Sequence, residues 1–247
     1  MTKLIRADMI RMFRSKTLRL MMLLFAGLIV LESAIVNTDD IEEGEQVFSS
    51  VIFGMGSMLL PMFVSIGICL IIGAEFTSGG IRNKMSVGHK RESIYGSWLI
   101  CSFAITLAMT VVLVVFSFAS ALIFGIGVSD ISVKATVINL LVMTVCHLSF
   151  TAVIVLFCTL FTGVKSVAVA FIYNETTMII FSLLGETFKE NDEVYKFVCR
   201  FFIQAQIKFY TTAEITDTPW LTALCSASLG VLATVAGIVS FKRKDLK

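Results

Sequence analysis

Two carboxylates interrupt long apolar stretches of this sequence: Glu32, and Glu175 with Asn174 beside it. An ionised side chain at mid-membrane costs about 3 kcal/mol on insertion scales, so such a residue usually faces other helices or a water-filled path. Glu32 is close enough to the end of its run to reach water. Glu175 is central, and three roles are open to it. It can line a path with Asn174, pair with a polar neighbour such as His147 or Asn139, or pack as a neutral hydrogen-bonded acid. Other chemistry has few carriers. His89 and His147 are the only histidines, so the H-E-x-x-H zinc pattern is absent. The serine elbow G-x-S-x-G is absent too, as is the phosphate-cradling G-x-x-x-x-G-K-[ST] loop. No catalytic residue and no metal site is assigned. Cys69, Cys101, Cys146, Cys158 and Cys225 fall inside apolar runs, with Cys199 alone in a loop and no C-x-x-C pair. Thiols so placed behave as small apolar side chains.

The elements that must position these residues follow from composition. Of 247 residues, 57% are hydrophobic and 15% charged, and the mean hydropathy is +0.90. Such values belong to membrane proteins. A crossing helix needs about 20 apolar residues, and six runs qualify: about 18–36, 51–74, 95–126, 135–162, 166–184 and 220–241. The expected fold is one all-α integral membrane domain over residues 1–247, with six transmembrane helices. Barrel strands are excluded, being about 10 residues of alternating polarity. The first run continues into Glu32 without a small-residue cleavage site, so it is read as a retained span rather than a signal peptide. The third run exceeds what a bilayer needs and must tilt, bend or emerge.

Charge sets the expected orientation. With both termini inside, fifteen of the twenty Lys and Arg fall on inner segments, and twelve of the eighteen acids, Asp39, Asp40, Glu42, Glu43 and Glu45 among them, fall on outer ones. Basic residues near cytoplasmic ends resist translocation, so the expected topology is N-in and C-in.

Three segments outside this pattern draw notice. Residues 1–16 place Lys3, Arg6, Arg11 and Arg14 on one side and Ile5, Met9, Met12 and Phe13 on the other, the pattern of an interfacial helix on anionic lipid. The outer stretch 186–218 carries Val194, Phe197, Val198, Phe201 and Ala205 at helical spacing, an amphipathic segment for the outer leaflet. Ser226, Gly230, Ala233 and Gly237 form a small-residue row on the last span, which lets helix backbones approach closely in lipid. Sequence does not tell whether that neighbour belongs to this chain or to a second copy.

The inner loop 75–94 is the most informative stretch, opening EFTSGGIRNKMSVGHKRES. Thr77 or Ser78 can cap a short helix, Gly79 and Gly80 permit a sharp turn, and Ile81 and Met85 give that helix an apolar edge against its basic residues. A cytoplasmic helix of this kind wants a partner.

The run E-F-x-x-G-G-I-R-N-K-M followed by G-H-K-R-x-x-I-Y resembles the coupling loop of type 2 ATP-binding-cassette (ABC) exporter permeases, particularly those of Gram-positive bacteria. The basic interfacial helix, the six spans, the long outer segment before the sixth and the basic end agree with it. The match departs at Gly80, where many relatives have Thr, and in lacking Pro before the later Arg. The resemblance implies a permease of the bacterial cytoplasmic membrane, paired with a second permease, identical or homologous, and two ABC ATPase subunits. ATP and Mg would be bound by the ATPase and not by this chain. Glu75, Phe76, Gly79, Gly80, Ile81, Arg82, Asn83, Lys84, Met85 and Arg91 would form the ATPase-coupling element. The cargo would be hydrophobic or amphipathic: a peptide, toxin, antimicrobial or lipid-like molecule. Its path would draw on Glu175, Asn174, His147, Asn139 and Glu32. No nucleic-acid partner is implied. A proton-coupled secondary transporter would instead use Glu175 and His147 as a relay and show inverted repeats, which are not seen. A non-transporting peptide immunity or sensor protein would act without an ATPase.

Overall fold

The computed structural model describes residues 2–38, 47–125, 133–187 and 219–244. Its elements are α1 (Thr2–Arg14), α2 (Lys16–Thr38), α3 (Val47–Thr77), α4 (Gly80–Ser86), α5 (Arg91–Phe124), α6 (Val133–Leu160), α7 (Val164–Thr187) and α8 (Pro219–Arg243). Five of them, α2, α3, α5, α6 and α8, are long and apolar enough to cross a membrane. The expected fifth span, 166–184, lies within α7. The expected outer segment 186–218 lies, from residue 188 onward, outside the described residues, as does the acidic run 39–45.

Helix ends follow local chemistry. The break between α1 and α2 falls at Ser15, whose Oγ accepts the Leu18 N–H at 3.2 Å, an N-cap bond that starts the second helix. Within the segment 1–16, expected as an interfacial helix, the helix spans Thr2–Arg14. It also has a buried side, Leu4, Asp8 and Met12, because it packs against α5 and α2 as well as offering a surface. At 34 residues, α5 is about 51 Å long, well beyond a hydrocarbon layer of about 30 Å. Its first two turns carry Ser97 and Trp98 among α1, α3 and α8.

The helices alternate in direction, and one end of the bundle gathers the start of α2, the end of α3, α4, the start of α5 and the ends of α6 and α8. The start of α7 reaches this end as well: a Cβ on Gly73 of α3 would meet the Gly163 backbone at 3.4 Å. The two described termini thus share the basic end. In the centre, α3 has 67% of its apolar window buried, against 28% for α2 and α8. Those outer helices present Leu20, Leu23, Leu24, Leu224, Val231 and Leu232 outward, a surface as apolar as lipid tails.

Close approach at the α6–α8 seam answers the question left by the small-residue row. Ser226, Gly230, Ala233 and Gly237 are all buried within this chain. A Cβ on Gly230 would stand 3.0 Å from Ser149 Cα, and one on Gly237 would collide with the Tyr95 ring. Within the bundle, some hydroxyls bond to carbonyls one turn back, as Thr110 to Thr106 at 3.0 Å, and Thr106 bonds between helices to Thr151 at 2.7 Å. Such bonds let polar side chains sit in an apolar interior. Cys69, Cys101, Cys146 and Cys158 are buried and Cys225 half-buried, all as free thiols. Cys158 and Cys69 have their sulfurs 3.4 Å apart.

Candidate functional site

The expected coupling loop is built on a left-handed turn. Gly79 has φ 72° and precedes α4 without any side-chain cap, a conformation that glycine adopts without a Cβ penalty. Gly80 needs no such freedom, since among the described residues only Gly79, Gly88, Gly125 and Gly163 have positive φ. Neither Thr77 nor Ser78 caps α4 as expected. Thr77 Oγ1 donates back to the carbonyls of Gly73 and Ala74 at 3.3 and 3.2 Å, because α3 continues through Thr77 and those oxygens are nearer. Beyond α4, Gly88 has φ 92° and donates to the Met85 carbonyl at 2.9 Å, and His89 donates to Lys84 at 3.1 Å.

These turns place four charged side chains from three helices together. Lys84 Nζ donates to Asp8 Oδ2 at 2.9 Å and to Glu75 Oε2 at 2.7 Å. Arg11 is ion-paired with Glu75 and reaches Asp8 Oδ1 at 3.3 Å. Ser97 Oγ donates to Asp8 at 2.7 Å and Trp98 Nε1 to Glu75 at 2.9 Å. Asp8 and Glu75 are each 2% exposed, so both carboxylates are removed from water, and each has two cations and a neutral donor in exchange. Breaking one side of such a buried pair costs several kcal/mol, because it strands the other charge. Burial lowers the pKa of Lys84, and the hydrogen bond and charge of Asp8 oppose that shift.

Beside the charges lies an aromatic cluster. Phe76, Trp98 and Phe241 have ring centroids 5.1 to 6.4 Å apart. Lys84 lies 5.9 Å over Trp98 and Lys244 5.2 Å over Phe76, within the range of cation–π attraction. Arg91 Nη1 reaches the carbonyls of Phe241, Lys242 and Lys244 at 3.4, 2.8 and 2.6 Å, and Lys244 donates to the carbonyls of Thr159 and Leu160. Cations so placed complement the negative ends of α8 and α6. Burial lowers the pKa of Lys244.

Of the ten residues expected to meet an ATPase, five are tied into this chain, two face outward, and Gly79, Gly80 and Met85 are intermediate in exposure. Glu75, Phe76, Ile81, Lys84 and Arg91 hold this chain together: Ile81 is 3% exposed in the core, Phe76 packs against that core, and the others carry the bonds above. Phe76, half-buried, packs its ring against Trp98 of α5 and Phe241 of α8, and Ile81 is turned inward, so on α4 the outward surface is carried by other residues. Met85 is half-buried against the same core. Arg82 and Asn83 face outward, joined by Ser86 and Val87, the last 77% exposed.

The five expected path residues are not drawn into one site. Glu175 is exposed on α7 and accepts from Asn174 Nδ2 at 3.0 Å. Asn174 itself is buried. His147 is buried on α6, and the hydrogen bond Glu175 makes is with Asn174. Asn139 is buried two turns away on the same helix, and Glu32 is exposed on α2.

Sequence reasoning missed Asp8, Ser97 and Trp98. The signal for Asp8 was present: it is the lone acid in a basic segment and sits four residues from both Leu4 and Met12, on the buried stripe. Compared with known protein families and with curated proteins, the chain matches none.

Proposed function

We propose that this chain is the membrane-spanning permease subunit of an ATP-driven ABC exporter of the bacterial cytoplasmic membrane. On this reading it crosses the membrane six times, with α7 as the fifth span, and the basic end faces the cytoplasm. The observation that carries it is the mounting of α4. A seven-residue helix presents Arg82, Asn83, Ser86 and Val87 outward, while its inner side is fixed by Ile81 and by Lys84 bonding to both Asp8 and Glu75. A helix held that firmly transmits a push rather than yielding to it. Force applied to its outer face would pass to α1 and α3 together, as a rigid-body change between two states requires. The ATPase and its ATP and Mg would be supplied by a separate subunit, and a second permease would complete the path. The spans carry few charges, which suits a hydrophobic or amphipathic cargo. Glu175, exposed on α7, would face that path.

The test is purification of the tagged chain in mild detergent. An ATPase subunit is expected to accompany it. Arg82→Ala with Val87→Asp is expected to cut its turnover by about tenfold or more, with the permease still folded. Glu75→Ala should instead lower the amount of folded permease. Export by this chain alone, driven by a proton gradient, would overturn the reading.

A further inference from the structure

We propose that the cleft between α1, the first turn of α2 and the end of α3 binds the headgroup of an anionic phospholipid. The inference rests on the chain being a multi-pass membrane protein and is independent of the exporter reading. The cleft holds about 250 Å³ and has two kinds of wall. Leu70, Ile71 and Ala74 of α3, with Ser78 one turn beyond Ala74, line it from one element, and Arg11 of α1 and Thr17 of α2 line it from the others. Leu70 is 40% exposed, and Leu20, Leu23 and Leu24 are exposed on neighbouring α2, so the apolar wall continues onto the lipid-facing surface.

The polar wall suits a phosphate diester. A guanidinium has five N–H donors, and Asp8 and Glu75 engage that of Arg11 through Nη2. Its side chain is 47% exposed, so the other donors can meet an acceptor entering the cleft. Glu75 also borders the space, but its charge is already matched by Arg11 and Lys84. Adjoining the lining residues Ser15 and Thr17 in sequence, Arg14 and Lys16 are exposed, as is Arg19 on the first turn of α2. Their positive field selects an anionic headgroup over a zwitterionic one, and the apolar wall selects a phosphate carrying acyl chains over a free ion.

The experiment is native mass spectrometry of the full-length protein in detergent. It is titrated with dioleoylphosphatidylglycerol, dioleoylphosphatidylcholine or inorganic phosphate, alongside alkaline-carbonate extraction of cell membranes. Phosphatidylglycerol is expected to bind more tightly than phosphatidylcholine by about fivefold or more. Ala74→Trp fills the cleft from an exposed position while leaving every charged residue in the sequence, and is expected to weaken phosphatidylglycerol binding by about tenfold. Should that variant fold poorly, Thr17→Val with Ser78→Ala makes the same test by removing two hydroxyls. Equal retention of the two lipids, unchanged binding in folded variants, or displacement of the lipid by equimolar inorganic phosphate would overturn the proposal. Release of the wild-type chain by carbonate would overturn the membrane reading itself, a result separate from any lipid preference.

Discussion

Lys84 Nζ lies 2.9 Å from Asp8 Oδ2, a bond between residues 76 apart in the chain. It joins the first helix to the short exposed one, and both partners are largely out of water, at 12% and 3% exposure. Asp8→Ala and Lys84→Ala are each expected to lose about 3 kcal/mol, because each leaves the opposite charge buried. The double variant should lose less than the sum, by about 1 kcal/mol or more. Thermal unfolding of the four proteins in one detergent measures the difference, and strict additivity would count against the cluster.

Alkaline pH should act on the same residue. Burial lowers the pKa of Lys84 beneath its ordinary 10.5, so the unfolded chain holds that proton to a higher pH than the folded one. Stability from this group therefore rises with pH within the window below 10.5 and is lowest beneath it, where both states are protonated. The melting temperature of wild type relative to Lys84→Met is expected to increase across that window. A difference that stays flat or falls would contradict it.

Trp98→Phe keeps the ring against Phe76 and Phe241 and removes only the Nε1 donor to Glu75. A hydrogen bond to a charged group contributes about 1.5 to 3 kcal/mol, so a loss of that size is expected in the same unfolding assay. Trp98→Tyr, which keeps a polar atom in a different position, should not restore it.

The α8 seam makes a steric prediction. Gly237→Ala places a methyl group against the Tyr95 ring and is expected to cost about 1 to 3 kcal/mol. Gly27→Ala, which meets nothing within 4 Å, is the control. Tyr95→Leu should recover part of the loss in the Gly237 variant, since it withdraws the atoms that collide.

Much of the helical frame was legible because long apolar runs specify helices by length alone. The ends were less so. α3 runs through Thr77 and α5 begins at Arg91, since a helix continues past its apolar stretch wherever tertiary contacts satisfy its polar residues. The turn at Gly79 was readable from glycine's backbone freedom. The roles of Glu75 and Lys84 were not, because a pattern of charge and apolar residues on one loop does not reveal which side faces inward. Their partners, Asp8 and Trp98, come from other parts of the chain. Likewise the row from Ser226 to Gly237 announced close packing, but only the fold identifies α6 and Tyr95 as what it packs against.

The bonds made by Lys244 bear on the order in which the chain is assembled. The basic end is closed by contributions from residue 8 and from residue 244, so it cannot be completed while the last helix is still being synthesised. Until then Phe76 and Trp98 lack the covering ring of Phe241, and Arg91 has no α8 carbonyls to bond. Closure of this end is therefore a late folding event, reached only after α8 has joined α6.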